Sequence, residues 1–118
     1  MKLEDIVCNI EYAKKLKELG VSQESLFYWV LHTRKGSVWT LMEKPRKFNE
    51  WSYVSAFTCT ELWGILPKNN IKIQLTLDGY RGEYNAKNGC AVTHKKGSNA
   101  MAKLLQYILE NELLVNNN

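Results

Sequence analysis

Residues 71–78, Ile-Lys-Ile-Gln-Leu-Thr-Leu-Asp, alternate apolar and polar side chains without a break. Successive side chains of a strand point to opposite faces, so this run predicts a strand with one apolar face. That face needs an apolar layer to cover it. Met101, Leu104, Leu105, Ile108 and Leu109 form a wide stripe at helical spacing near the other end of the chain. Ser98 stands where that helix needs an N-cap.

The remaining elements follow from local signals. Asn9 is an expected N-cap for a first helix carrying Ile10, Ala13, Leu16 and Leu19, with Glu11 favoured in the first turn. Gly20 suits a left-handed C-terminal position, and Val21 packs back on the last turn. Leu26–Thr33 is rich in aromatic and β-branched residues and reads as a strand. Arg34-Lys35-Gly36-Ser37 reads as a tight hairpin turn, and Val38–Met42 as the return strand. A two-residue turn at Lys35-Gly36 pairs Leu31 with Thr40 and Trp29 with Met42. Phe27, Trp29, Leu31, Val38 and Met42 then share one face, and Leu26, Tyr28, Val30, Trp39 and Leu41 the other. Both faces are apolar. One meets the core, and the other needs a helix, the following loop or a partner molecule.

Residues 43–53 mix Pro45, Arg46, Lys47, Asn49 and Glu50 with Phe48, Trp51 and Tyr53, and read as an irregular loop. Thr58-x-x-Glu61 is a capping box, opening a short helix that Pro67 ends. Gly79 and Gly82 are expected to flank a bend. Tyr80, Tyr84 and Val92 suggest two further strands turned at Asn88-Gly89. The fold class is α+β: an antiparallel sheet of about five short strands, with three helices packed mainly on one face. Residues 1–118 are expected to form one domain with a short polar tail, Asn116-Asn117-Asn118.

Composition narrows the function classes. The chain has 118 residues, 45% hydrophobic and 24% charged, which excludes disorder, a collagen-like repeat and a disulfide scaffold. Cys8, Cys59 and Cys90 are three, far apart, and form no C-x-x-C pair, so thiols in a reducing compartment are expected. The first residues, Met-Lys-Leu-Glu-Asp, carry charge where a signal peptide needs an apolar run. No run reaches membrane-spanning length. A soluble, cytoplasmic protein is expected. The formal charge of +4 hides a gradient: residues 34–103 hold twelve Lys+Arg and five Asp+Glu, a balance of +7. A basic middle attracts phosphates or acidic proteins, though a solubilising face produces the same excess.

Catalytic signatures are sparse. His32 and His94 sit at predicted strand positions beside Lys or Arg, with no carboxylate next to them in sequence. Asp78-Gly79 looks like turn chemistry. Cys59 follows the cap Thr58, where a helix dipole lowers a thiol pKa, but a small space-filling residue is the preferred reading. Gly79-Tyr80-Arg81-Gly82 joins strand to strand and so fails as a phosphate loop. No catalytic residue, metal or cofactor is expected. The more suggestive pattern puts bases near aromatics: Arg46 and Lys47 with Trp51 and Tyr53, and Arg81 between Tyr80 and Tyr84. Stacking rings with adjacent positive charge bind nucleotides or single strands, so these seven are the candidate ligand-binding residues. Most aromatics in such patterns are also core residues.

Three stretches carry a resemblance. Leu16-x-x-Leu19-Gly20-Val21-x-Gln23-Glu24-Ser25-Leu26-Phe27-Tyr28-Trp29 lies near the start. Ala56-Phe57-Thr58-x-x-Glu61-Leu62-x-x-Ile65-Leu66-Pro67 lies in the middle. Ala100-x-Ala102-x-x-Leu105-x-x-Ile108-x-Glu110-Asn111 lies near the end. Together they resemble a group of small uncharacterised proteins encoded by phages and prophages, notably of gut Bacteroidetes. The likeness covers most of the chain outside 43–55 and 80–97. It implies a phage or prophage source and an intracellular setting in a bacterial host, and no activity.

Two functions are therefore expected. The first is a non-enzymatic protein-binding or regulatory module, meeting a protein partner or a second copy through the 26–42 hairpin. The second is a binder of an anionic ligand, a nucleotide signal or single-stranded nucleic acid. An enzyme centred on Cys59 or His94 ranks last.

Overall fold

The computed structural model describes residues 2–32, 38–43, 51–67, 71–85 and 89–111, apart from the side chains of His32 and Trp51. A 3-10 turn (Leu3–Asp5) leads into α1 (Ile10–Glu18). Then come β1 (Phe27–His32), β2 (Trp39–Glu43), β3 (Trp51–Ala56) and α2 (Cys59–Ile65). The chain continues through β4 (Ile71–Thr76), β5 (Gly79–Tyr84), β6 (Cys90–His94) and α3 (Gly97–Glu110). Among the described residues the class is α+β with three helices, as expected; the strands there number six rather than about five, and they form two antiparallel sheets, ordered β2-β1-β3 and β4-β5-β6.

The extra strand is β3. An irregular loop is expected through Tyr53, yet Trp51–Ala56 pairs along the whole of β1, with Tyr53 opposite Val30. Charge and proline break the period only up to Glu50; past it, Trp-Ser-Tyr-Val-Ser-Ala has ordinary strand propensity. β3 is an edge strand, and its free side is held by the segment around α1. Gln23 Oε1 accepts from the Ser55 amide at 2.8 Å, and Lys17 Nζ donates to the Tyr53 carbonyl at 2.8 Å. Such cover stops an edge from pairing with other chains.

The hairpin of β1 and β2 is formed, but its register is shifted by one residue. Leu31 faces Trp39 and Trp29 faces Leu41. A two-residue turn at Lys35-Gly36 imposes the other parity; residues 33–37 themselves lie outside those described. One step of slip moves every β2 side chain to the opposite face. Trp39 and Leu41 therefore join Trp29 and Leu31, while Met42 joins Tyr28 and Val30. Trp29, Trp39 and Val54 pack against the central core. The second face is covered too: Val30 is 0% exposed and Tyr28 7% within the single chain. These two residues need no partner molecule to cover them, while Leu26 and Val38, flanking the strands, are 64% and 73% exposed.

In the second sheet the strand expected at 71–78 is formed up to Thr76, and its burial alternates from Ile71 to Gln74. Thr76 pairs with Gly79, so Leu77 and Asp78 are the two turn residues. Leu77 is consequently fully exposed and Leu75, near the sheet end, is 72% exposed. Gly79 has φ +145 and a Cβ there would run into the His94 carbonyl, so only glycine fits. Gly82 is not at a bend; it lies mid-strand, between Ile73 and Val92 and beneath Leu104 of α3.

The helices join the sheets. α3 packs on β5, β6, α1 and α2, and α1 packs on β3. The expected stripe is buried: Met101, Leu104, Leu105 and Ile108 meet Leu16, Leu62, Phe57, Val54 and Tyr84. Gly20 takes φ +90, with Val21 N donating to Leu16 O and Gly20 N to Lys17 O, the paired bonds of a Schellman end. The capping box is also formed: Glu61 N donates to Thr58 Oγ1, and Thr58 N to Glu61 Oε1 at 2.9 Å.

Candidate functional site

The seven residues expected to bind a ligand do not assemble among the described residues. Arg46 and Lys47 lie outside those described, and so does the side chain of Trp51. Tyr53 is half-buried on β3, in the first sheet; Tyr80, Arg81 and Tyr84 are on β5, in the second. Strand alternation then splits the second group. Tyr80 and Tyr84 share the face that carries Ile71, Ile73 and Val92, while Arg81 and Glu83 point to the other side. Tyr84 is part of the core. Arg81 Nε donates to Glu83 Oε1 at 2.7 Å, and this bond holds the Glu83 carboxyl below its ordinary pKa. Arg81 is thus neither beside the rings nor uncompensated.

Positive charge gathers instead where β6 runs into α3. The local sequence is His94-Lys95-Lys96-Gly97-Ser98-Asn99. Lys96, not Ser98, is the N-cap of α3, and no side chain caps that end. Ser98 falls two positions into the helix, and Lys96 N turns back to donate to His94 Nδ1 at 3.1 Å. The first intrahelical bond runs from Ala100 N to Lys96 O. Among the described residues, nothing accepts from the amides of Gly97, Ser98 or Asn99. All three residues are buried. The Ser98 hydroxyl is also buried and has no hydrogen-bond partner.

Side chains suited to capping are engaged elsewhere. Asn99 Oδ1 accepts from Asn9 N at 2.7 Å, and Asn9 Oδ1 accepts from Lys96 Nζ at 2.6 Å. Lys96 Nζ also donates to the Glu4 carbonyl at 2.6 Å. Asn9 is thus the N-cap of α1 by position, as expected, but its side chain caps nothing. These bonds clamp the starts of α1 and α3 together, with an ammonium between two positive helix ends. Burial pulls the Lys96 pKa down, opposed by the nearby Cys8, Asp5, Glu4 and Glu11.

A cavity of about 420 Å³ opens at this helix end, walled by Lys95, Lys96, Gly97, Ser98, Cys59 and Tyr80, with Asp5 and Ile6 at its side. Gly97 keeps it open: a Cβ there would stand 3.1 Å from Cys59 Sγ and 3.4 Å from the Tyr80 ring. Two further depressions adjoin it. One, through Tyr80 and Lys95, is walled by His94, Thr93, Thr76 and Asp78. The other, through Cys59, is an apolar groove of about 380 Å³ formed by Thr60, Trp63, Ile73 and Met101.

The protonation states suit binding better than attack. Burial raises the Cys59 thiol pKa, so the expected dipole effect does not prevail. Burial, then Lys103 and Lys96, lowers that of His94. His94 is neutral at pH 7, with Nδ1 already accepting from the Lys96 amide. No described hydrogen bond gives Cys59 a base. Cys8 is buried, and burial pushes its thiol pKa up to about 11. Among the described residues no group of three or more His, Cys, Asp and Glu is placed to hold a metal ion, and no helix is long and apolar enough to cross a membrane.

Lys95 and Lys96 stand out in the sequence only as two bases among many. The missed signal is their context. A Lys-Lys-Gly-Ser run between a strand and a helix gives open amides, a hydroxyl and positive charge at one helix end. The chain matches no protein-family model, no curated protein and no solved structure in these comparisons.

Proposed function

We propose that the protein is a non-catalytic binder of a phosphate-bearing anion, held at the open end of α3. The observation that carries this reading is the buried first turn, whose Gly97, Ser98 and Asn99 amides and Ser98 hydroxyl have no described partner. A buried donor without an acceptor costs about 1–3 kcal/mol, and an anion oxygen is the acceptor this end lacks. The helix dipole and Lys95 favour negative charge there by a further ~0.3–1 kcal/mol each at an exposed site. Asp5 opposes it, but its Oδ2 is already engaged by the Lys2 amide at 3.1 Å.

The anionic-ligand function expected from the sequence is kept, and its place moves from the strand aromatics to the β6–α3 junction. We propose the cytoplasm of a bacterial host cell as its setting, a reading supported by the resemblance to phage and prophage proteins. The test is a titration with inorganic phosphate followed by amide resonances. Gly97, Ser98 and Asn99 should shift first, and Lys95→Ala should weaken binding several-fold while Arg81→Ala leaves it unchanged. Unperturbed first-turn amides at millimolar phosphate, or an Arg81→Ala effect equal to that of Lys95→Ala, would overturn the assignment.

A further inference from the structure

Six large apolar side chains are exposed among the described residues, and four of them gather at β4. Leu75 is on the strand, Leu77 is in the turn after it, and Tyr80 is opposite Leu75 on β5. Trp63 shares an apolar groove with Ile73. β4 is also an edge: in the order β4-β5-β6 it pairs on one side only. The turn at Leu77-Asp78 closes on the Thr76–Gly79 pair, so the hydrogen bonds to β5 belong to Lys72, Gln74 and Thr76. The N–H and C=O groups of Ile71, Ile73 and Leu75 therefore point to the free side, and among the described residues nothing takes them up. A strand with open backbone groups and bare leucines is a template for another strand.

We propose that β4 pairs antiparallel with β4 of a second copy, about a two-fold axis at Gln74, joining the three strands of each copy into one sheet. Face, length and charge select this register. Opposite residues of an antiparallel pair share a face, so Ile71, Ile73 and Leu75 stay on one apolar face only if Ile73 meets an odd-numbered residue of the second copy. Ile73 against Ile73 leaves Leu77 beyond the paired segment and sets the two Lys72 side chains diagonal to each other. Leu75 against Leu75 keeps only Gln74, Leu75 and Thr76 paired within the strands. Ile73 against Leu75 pairs residues 72 to 76 of each copy and brings Leu77 beside Ile71 of the other. Lys72 then lies opposite neutral Thr76 and diagonal to Asp78 of the second copy, roughly 7–8 Å away and within reach of a lysine side chain. The bare side chains gain the cover they lack. Leu75 stands with its Cβ about 4.5–5.5 Å from that of Ile73 of the second copy. That places it beside the groove that Ile73 lines with Trp63 and Met101. The two-fold axis repeats each contact, so one surface serves both copies.

One strand pair with a few apolar side chains falls among the weak interfaces, below about 1,200 Å², so sedimentation equilibrium should cover about 10 µM to 1 mM. The average mass should rise from that of one chain toward that of two. Leu75→Glu sets a carboxylate opposite Ile73 and should keep the protein monomeric throughout. Leu75 is 72% exposed, so the fold tolerates the change, which an unaltered circular dichroism spectrum checks. Leu26→Glu, also at an exposed leucine but ahead of β1, should dimerise as the unmodified protein does. Gln74→Cys reads the register. The two residues meet on the axis as a non-hydrogen-bonded pair, with Cα atoms about 4.5 Å apart, a separation that a disulfide spans. Mild oxidation should link this variant into dimers well beyond the level the native thiols give, and should not do so for Lys72→Cys. A protein that stays monomeric at the highest concentration overturns the proposal, as does a Leu75→Glu variant that dimerises normally. A Gln74→Cys variant that links no better than the unmodified protein or than Lys72→Cys overturns it as well. Masses growing past two chains also overturn it, because β4 then meets a different edge and the contact does not close.

Discussion

Replacing Ser98 by alanine should make the protein more stable and a poorer binder at once. The hydroxyl is buried, on a residue 1% exposed, with no partner. An unsatisfied buried polar group costs about 1–3 kcal/mol. Deleting it leaves a void no larger than one oxygen, which at about 24 cal/mol per Å³ returns only a few tenths of a kcal/mol. The net gain is about 1 kcal/mol or more, a rise in melting temperature of roughly 3–6 °C for a chain of this size. A hydrogen bond to a charged group contributes about 1.5–3 kcal/mol, so phosphate affinity should fall roughly 10- to 100-fold. Ser55 provides the internal control. It is fully buried on β3, its hydroxyl is also unpartnered, and it lies in the other sheet. Ser55→Ala should give a similar thermal gain with phosphate binding intact. Thermal denaturation of the three proteins, with and without phosphate, reads both effects, because a ligand that binds only the folded state raises the transition. A Ser98→Ala protein that melts lower than wild type, or whose melting still rises with phosphate as wild type does, refutes the reasoning.

Other outcomes follow from particular contacts. Gly79→Ala should destabilise by roughly 2–5 kcal/mol, because φ is +145 and the new methyl runs into the His94 carbonyl; chemical denaturation measures it, and a loss under about 1 kcal/mol contradicts the geometry. Gln23→Ala removes the acceptor of the Ser55 amide on the free edge of β3, and should cost about 1–3 kcal/mol in the same assay; no loss means that the edge is held otherwise. For His94, the fold lowers the pKa below its ordinary 6.5, with Tyr12, Lys95, Lys96, Lys103 and Asp78 as its charged or titratable surroundings. The unfolded chain therefore takes up the proton first as pH falls through 6.5. Stability from the neutral imidazole is complete above that value and is lost on the acid side. His94→Asn keeps an acceptor for the Lys96 amide without titrating, so its melting temperature should decline less than wild type between pH 7 and 5; parallel declines refute the assignment.

What was legible in the sequence was local. The capping box at Thr58, the Schellman end at Gly20 and the stripe on α3 each lie within a few residues, where steric rules decide the outcome. The alternation of 71–74 was legible for the same reason. The hairpin register was not, because one residue more or less in the connection reverses a whole strand face. Tyr80 and Arg81 show the limit most clearly. They are neighbours in sequence, which suggested a ring beside a guanidinium, but a strand sends adjacent side chains to opposite sides. Lys95, Lys96 and Gly97 meet Cys59 and Tyr80 only through packing of α3 on α2 and β5, a contact that no local pattern encodes.

The starts of α1 and α3 depart from local rule in the same way. Asn9, Ser98 and Asn99 are all good capping residues, and none caps a helix end. A missing cap forgoes about 1 kcal/mol, so a fold optimised only for stability would use at least one of them. Asn9 and Asn99 instead bond across the gap between the helices, and Lys96 fills it with an ammonium. Ser98 is left with nothing. An uncapped, buried helix end that is also braced from outside has its donors fixed in position, as the proposed anion site requires. Departures of this kind concentrate where a protein does its work, because local consistency is given up there for a geometry that pays off only with ligand. The same reasoning explains why Gly97 begins the helix. A methyl at that position would press on Cys59 Sγ and the Tyr80 ring.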